Sequence, residues 1–226
     1  MLRFASQAFK KNLMSPLLEQ PLKFFVVFFV VVEPISLIPL FTGLTTGAAA
    51  QYKRRMALKA VSVAAAILVL FALGGAAFLK VMGISLEAFR IFGGLLLFLL
   101  ALEMVFARQS GTRTSSDEAA EARQRSDISV FPLAFPFIAG PGALATILLW
   151  FGPVHPSANT SLFILMLIAV AVVLAIALIC LLLADPLMRV IGVTGANVAS
   201  RLLGVILGAL AVQFVLDGLR QSFSVS

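Results

Sequence analysis

The sequence is poor in almost everything that a water-soluble domain or a side-chain enzyme needs. Only 12% of its 226 residues are charged, 61% are hydrophobic, and the mean hydropathy is +1.09. So little polar surface cannot cover a soluble fold of this length, so the expected class is an all-α polytopic membrane protein. The lone cysteine, Cys180, lies in an apolar run, which excludes a disulfide within the chain. The lone histidine, His155, falls in a short loop without a second His or Cys beside it, so no His/Cys metal site and no cofactor are expected. A Walker-type phosphate loop is absent, so any transport would draw on a gradient. Also missing are a Gly-x-Ser-x-Gly nucleophile site, a His-Glu-x-x-His helix and a pair of midplane aspartates. An enzyme is therefore not expected, because a lone acid cannot serve as both general acid and general base. The +7 net charge is scattered among loops with no aromatic-interleaved stripe, which fits an anionic lipid surface and not nucleic acid.

What is present is long apolar segments. Hydropathy gives six spans, at about 22–44, 57–79, 88–107, 130–151, 160–184 and 199–218. Residues 1–21 lack the apolar core and cleavage site of a secretory signal. Two readings stay open for them: an interfacial amphipathic helix, or a disordered leader. Residues 108–129 are rich in Ser, Thr, Arg and Glu without apolar periodicity and read as a flexible linker. The linker separates a first three-helix unit, 22–107, from a second, 130–226. Ten basic residues fall with loops one, three and five and seven on the other side. That imbalance puts the odd loops and the linker in the cytoplasm and both termini outside.

The two units resemble each other. Glu33-Pro34 in span one has a counterpart in Gly140-Pro141-Gly142 in span four. Met82-Gly83-Ile84-Ser85 matches Ile191-Gly192-Val193-Thr194, and Arg90-Ile91-Phe92-Gly93 matches Arg201-Leu202-Leu203-Gly204. With an odd number of spans per unit, the expected architecture is six transmembrane helices as two inverted three-helix repeats. In such folds, solute sites lie where interrupted helices meet near the midplane.

Glu33 fits that place. It lies 11 residues into span one, roughly 16 Å along a helix and near the middle of a ~30 Å hydrocarbon core. A carboxylate there costs about 2.5–3.5 kcal/mol on insertion scales and turns toward a protein interior or a polar cavity. Pro34 and Pro39 are expected to unwind about one turn, baring carbonyls, and Ser36 adds a hydroxyl. In span four, glycines on both sides of Pro141 predict a second break, with amides of a new helix at residues 142–144 and Thr146 one turn on. Carbonyls with Glu33 suit an amine; helix N-terminal amides suit a carboxylate. The candidate substrate site is therefore Glu33, Pro34, Ser36, Gly140, Pro141, Gly142 and Thr146, and the expected partner a small zwitterion. Glu33 is also the candidate for the coupling ion, H⁺ or Na⁺, either as a proton carrier or as an ionised partner of a cation; the competing reading has its carboxylate satisfied by Ser or Thr hydroxyls from a neighbouring helix. The competing reading has the prolines merely kinking packed helices. Gln213, Asp217 and Glu103 are weaker candidates, while Gly93, Gly94, Gly204 and Gly208 read as helix-contact residues.

Several ordered segments together resemble a known family. They are Glu33-Pro34-Ile35 through Pro39-Leu40-Phe41, Phe89-Arg90-Ile91 with Gly93-Gly94-Leu95-Leu96, Pro132-Leu133-Ala134 with Ala139-Gly140-Pro141-Gly142-Ala143, and Arg201-Leu202-Leu203-Gly204 with Ala211-Val212-Gln213-Phe214 and Leu216-Asp217-Gly218. From about residue 22 onward the chain looks like the MarC family of bacterial and archaeal inner-membrane proteins. The resemblance implies a multi-pass inner-membrane location and ion-coupled transport of small neutral amino acids such as glycine and alanine. The alternatives are a membrane protein without transport activity, structural or partner-binding, and an exporter of drugs or other solutes. One departure stands out. The family usually carries Asn or Asp before the first proline, where this chain has Glu33.

Overall fold

A computed structural model describes residues 16–106, 127–154 and 159–224. Most of the leader, the linker through residue 126 and the loop holding His155 lie outside the described residues. Every regular element among the described residues is helical: α1 (Pro16–Val32), α2 (Pro34–Leu44), α3 (Ala50–Val81), α4 (Leu86–Phe106), a wide-turned segment (Ser129–Ile138), α5 (Pro141–Phe151), α6 (Thr160–Leu182) and α7 (Ala184–Ser224). Five continuous stretches are long and apolar enough to cross a bilayer. The wide-turned segment and α5, bent by 53° at their junction, make a sixth if counted as one broken span.

The helices extend past the hydropathy limits. α1 begins at Pro16, ahead of Leu22, and α7 takes in residues 185–198, which hydropathy leaves outside the spans. Gly192, at φ 64° and ψ 172°, is non-helical and kinks α7 into two helical stretches. The broken first span lies at the centre of the bundle. Its most apolar window is 61% buried, against 22–39% for the other four continuous spans. Large apolar side chains that remain exposed, such as Leu70, Val190 and Val205, form the surface that faces lipid.

Two kinds of contact set the packing. α4 and α7 pack along their lengths because glycines let the backbones meet. A Cβ on Gly94 would lie 2.9 Å from the Ala211 carbonyl oxygen, and one on Gly204 would lie 2.8 Å from Met104 Cβ. In lipid, where no hydrophobic force draws helices together, such closeness supplies the dispersion contact. At the bundle ends the contacts are polar or aromatic. Lys53 pairs with Asp185 at 2.8 Å and Lys59 with Asp127 at 2.5 Å, tying the start of α3 to the end of the linker and the start of α7. At the other end Arg90 donates to Gln221 at 2.6 Å. There too Phe24 stacks on Phe28 at 5.3 Å and meets Trp150 and Phe151, while Phe163 meets Phe151 edge-on at 5.0 Å. Loop one, Asp127 and the start of α7 thus share one end of the bundle.

Candidate functional site

The first break is one residue wide. Pro34 has no N–H to donate, and its ring pushes the preceding residue out of the right-handed helical region. Glu33 takes up the change at φ 55°, ψ 59°, and Pro34 starts α2 in the first-turn position that tolerates proline. The Glu33 amide still donates to the Phe29 carbonyl at 2.9 Å, and Ser36 N–H donates to the Glu33 carbonyl at 3.0 Å. Pro39 does not unwind the chain as expected. It sits inside α2, whose helix is held by the buried side chains of Leu37, Ile38 and Phe41. Burial on one face outweighs the single hydrogen bond that Pro39 removes.

The Glu33 side chain is 2% exposed and lies among hydroxyls. Ser36 Oγ donates to Glu33 Oε1 at 2.6 Å. Ser200 Oγ, on α7, donates to the same oxygen, and the two serine oxygens are 2.5 Å apart. Sequence reasoning misses Ser200 because the hydropathy limit of span six, residue 199, puts this serine at the edge of the span. A signal was available. In the match between the two units Ser200 stands opposite Phe89, a hydroxyl against a phenyl ring in an otherwise apolar pairing.

The second break forms where two Phe-Pro pairs distort the chain. Phe131 and Phe135, each before a proline, are extended at φ −124° and −131°. Both following peptide bonds are cis. The segment is spanned by wide bonds, Leu133 N–H to Ile128 O at 3.2 Å and Ala139 N–H to Ala134 O at 2.8 Å. Gly140 then adopts an extended conformation, and Pro141 begins α5. Leu144 N–H is already used, donating to the Gly140 carbonyl at 3.0 Å. The N-terminal amides of α5 that precede any intrahelical bond are therefore those of Gly142 and Ala143. Thr146 is fully buried, and its hydroxyl donates back to the Gly142 carbonyl at 2.9 Å.

The two breaks approach each other. Val31, two residues before Glu33, lies 3.4 Å from where a Gly142 Cβ would stand. A cleft runs along this contact, walled by Val31, Leu96, Leu100, Pro136, Gly140 and Gly142, with ≈ 20 Å³ of space, about enough for one water. The structure thus brings Glu33 and Ser36 together with Ser200, and places Gly140, Pro141 and Gly142 on the cleft beside α1. Thr146 is engaged within α5. Elsewhere Gln213 donates to Asp217 at 2.8 Å on an exposed face, away from the buried hydroxyl cluster. The arrangement sets a buried carboxyl held by two serine hydroxyls at one break, and the first amides of α5 at another that Val31 reaches.

Outside the spans, the Asp127 carboxyl is held well below the usual carboxylate range. The hydrogen bond from Lys59 is the largest cause, followed by those from the Ser129 hydroxyl and amide. Among the described residues no group of three His, Cys, Asp or Glu side chains is placed to hold a metal.

A family model described as MarC family integral membrane protein matches residues 18–223. The chain is 34% identical over 204 residues to the UPF0056 membrane protein YhcE of Escherichia coli (strain K12), covering 89% of this chain and 92% of that one. It is 35% identical over 192 residues to the UPF0056 membrane protein MJ1677 of Methanocaldococcus jannaschii, covering 85% and 92%. A similar protein from Aquifex aeolicus is 34% identical over 199 residues, covering 88% and 91%. No solved structure matches.

Proposed function

This chain belongs to the MarC family of integral membrane proteins, and on that premise we propose that it is an ion-coupled secondary transporter of small neutral amino acids. The observation that carries the reading is the Glu33 carboxyl, 2% exposed at a helix break in the most buried span, two residues after Val31, which reaches the first turn of a second broken helix. A buried acid at that depth is expensive, and substrate and ion paths are the usual reason to keep one. In this reading Glu33 with Ser36 faces the amine and the coupling ion. The Gly142 and Ala143 amides face the carboxylate, with Gly140 and Pro141 setting the break and Thr146 bracing its first turn.

Alternating access needs two halves that can rock against each other, and the repeat reading has support. α2 and α5 are each 11 residues long and each begins at its proline. Gly83 and Gly192, which correspond in the sequence match, are both left-handed, at φ 69° and 64°. We take the two units to be inverted repeats. The ≈ 20 Å³ cleft is too small for an amino acid, so this conformation is a closed one and a solute enters only when the breaks separate. The protein sits, in this reading, in a bacterial inner membrane with the Lys53–Asp185 end cytoplasmic and both termini outside.

The test is uptake of radiolabelled glycine and alanine into proteoliposomes under imposed H⁺ or Na⁺ gradients, for the wild type and Glu33→Gln. Gradient-driven uptake that the variant uncouples supports the reading. No flux of either solute under either gradient refutes it. Uptake that Glu33→Gln leaves unchanged removes Glu33 from the mechanism.

A further inference from the structure

Among the described residues two buried side-chain polar atoms have no hydrogen-bond partner, Thr42 Oγ1 and Trp150 Nε1. They differ in kind. The threonine hydroxyl turns about a single bond and can accept as well as donate, whereas an indole N–H only donates and is fixed by its ring. A buried donor without an acceptor is costly in a membrane-spanning segment. Packing alone does not ask for it, since phenylalanine offers a ring without the N–H. The chain has 20 phenylalanines and one tryptophan, so the indole at residue 150 needs its own reason.

The place of Trp150 supplies one. Ala143, on the cleft, and Trp150 are seven residues apart on α5, which puts them on one helix face about 10 Å from each other. On α1, Val31, also on the cleft, shares a face with Phe28 and Phe24 by the same spacing. The two faces come together where the rings of Phe24 and Trp150 pack at 5.7 Å, and Phe214 of α7 meets Trp150 edge-on at 6.4 Å. The seam between α1 and α5 thus runs from the cleft to these rings, which close it.

The first unit lacks this closure. At the offset that sets Pro34 opposite Pro141, the counterpart of Trp150 is Gly43. Gly43 is exposed, with nothing within 4 Å of where its Cβ would stand.

We propose that Trp150 closes this end of the α1–α5 seam and is a hydrogen-bond donor to the solute carboxylate on its way to the α5 amides. The inference rests on the transport reading and adds a solute-contact residue to it. In the closed conformation the indole ring seals the seam. As the breaks separate, its N–H gains in the carboxylate the acceptor that the helices do not provide. A neutral donor suits this post, because it orients a passing anion without the hold of a lysine or arginine charge.

The experiment is ultraviolet resonance Raman spectroscopy of the purified full-length protein in lipid, with uptake measured on the same preparations. Trp150 is the chain's one tryptophan, so the indole band that shifts when the N–H donates reports this residue alone. The N–H should be free in the protein by itself and hydrogen-bonded with saturating glycine or alanine. Ethanolamine, which has the amine without the carboxylate, should leave it free. Trp150→Phe should keep the thermal midpoint and the maximal uptake rate while raising KM about tenfold, the loss of one hydrogen bond. An N–H that is bonded before solute is added, that solute leaves unchanged or that ethanolamine shifts overturns the proposal, as does an unaltered KM in Trp150→Phe. A glycine-dependent shift without flux upholds the contact and sinks the transport reading. Flux with a silent N–H keeps transport and removes Trp150 from it.

Discussion

Gly140→Ala is the sharpest test of how the second break is built. A Cβ at residue 140 would lie 2.1 Å from the Pro136 carbonyl oxygen, where real Cβ contacts do not fall below 3.0 Å. The obstacle is backbone, and Pro136 is fixed within the wide-turned segment, so the segment or α5 must move by ~1 Å in a closely packed interior. Overpacking of that kind costs ~3 kcal/mol, which for a chain this size lowers a melting midpoint by ~6–12 °C. Two other glycines serve as controls. A Cβ on Gly75 would come within 1.9 Å of Leu148 Cδ2, but that is the tip of a side chain that can swing away. Gly75→Ala should therefore cost only about 1 kcal/mol despite the shorter distance. Gly74 has nothing within 4 Å, so Gly74→Ala should be neutral or gain ~0.5–1 kcal/mol from helix propensity. The assay is thermal unfolding in one detergent, with glycine uptake measured in parallel. If Gly75→Ala proves more damaging than Gly140→Ala, the argument that rigid backbone decides the cost is wrong.

Gly204→Leu should separate α4 from α7, because Met104 Cβ and the Ala101 carbonyl leave no room; a loss of ~3 kcal/mol in detergent unfolding is expected, and unchanged stability refutes the packing. Trp150 Nε1 is buried without a hydrogen-bond partner. Trp150→Phe should thus stay within ~1 kcal/mol of wild type while Trp150→Ala loses ~3–5, and equal losses would contradict this. Asp127→Asn removes a partly exposed ion pair and should cost no more than ~1 kcal/mol. The Asp127 carboxyl is held low by Lys59, so its contribution is full above the ordinary carboxylate range and is lost only as pH falls through the lower folded value. Wild-type and Asp127→Asn unfolding curves should converge only in strong acid, and convergence already near pH ~4 would refute the assignment.

What was legible in the sequence was local chemistry. Pro34 and Pro141 mark their breaks because a missing N–H and a ring clash act within one turn. Gly94 and Gly204 announce a close helix pair because few other residues have reason to sit there in an apolar run. Less local outcomes were hidden. Whether Pro39 breaks α2 depends on the burial of Leu37, Ile38 and Phe41, which no five-residue window reveals. Ser200 meets Glu33 across 167 positions of chain, so only the fold could introduce them. The Gly192 interruption reads as a loop in hydropathy, yet a single residue carries it. The site was half legible: Glu33, Ser36 and the Gly140–Gly142 break were visible in the sequence, but the third oxygen was not.

The two ends of the bundle are fastened by different materials. One end is fastened by ion pairs, Lys53–Asp185 and Lys59–Asp127, whose side chains are mostly part-exposed to solvent; the other is clasped by the rings of Phe24, Phe28, Trp150, Phe151 and Phe163. Salt weakens the first within a Debye length of about 8 Å and barely touches the second. The second is a set of ring contacts between membrane-spanning helices, held by dispersion and not by ion pairing. Ionic strength is therefore a handle on the ion-paired end of the bundle that leaves the aromatic clasp at the other end in place.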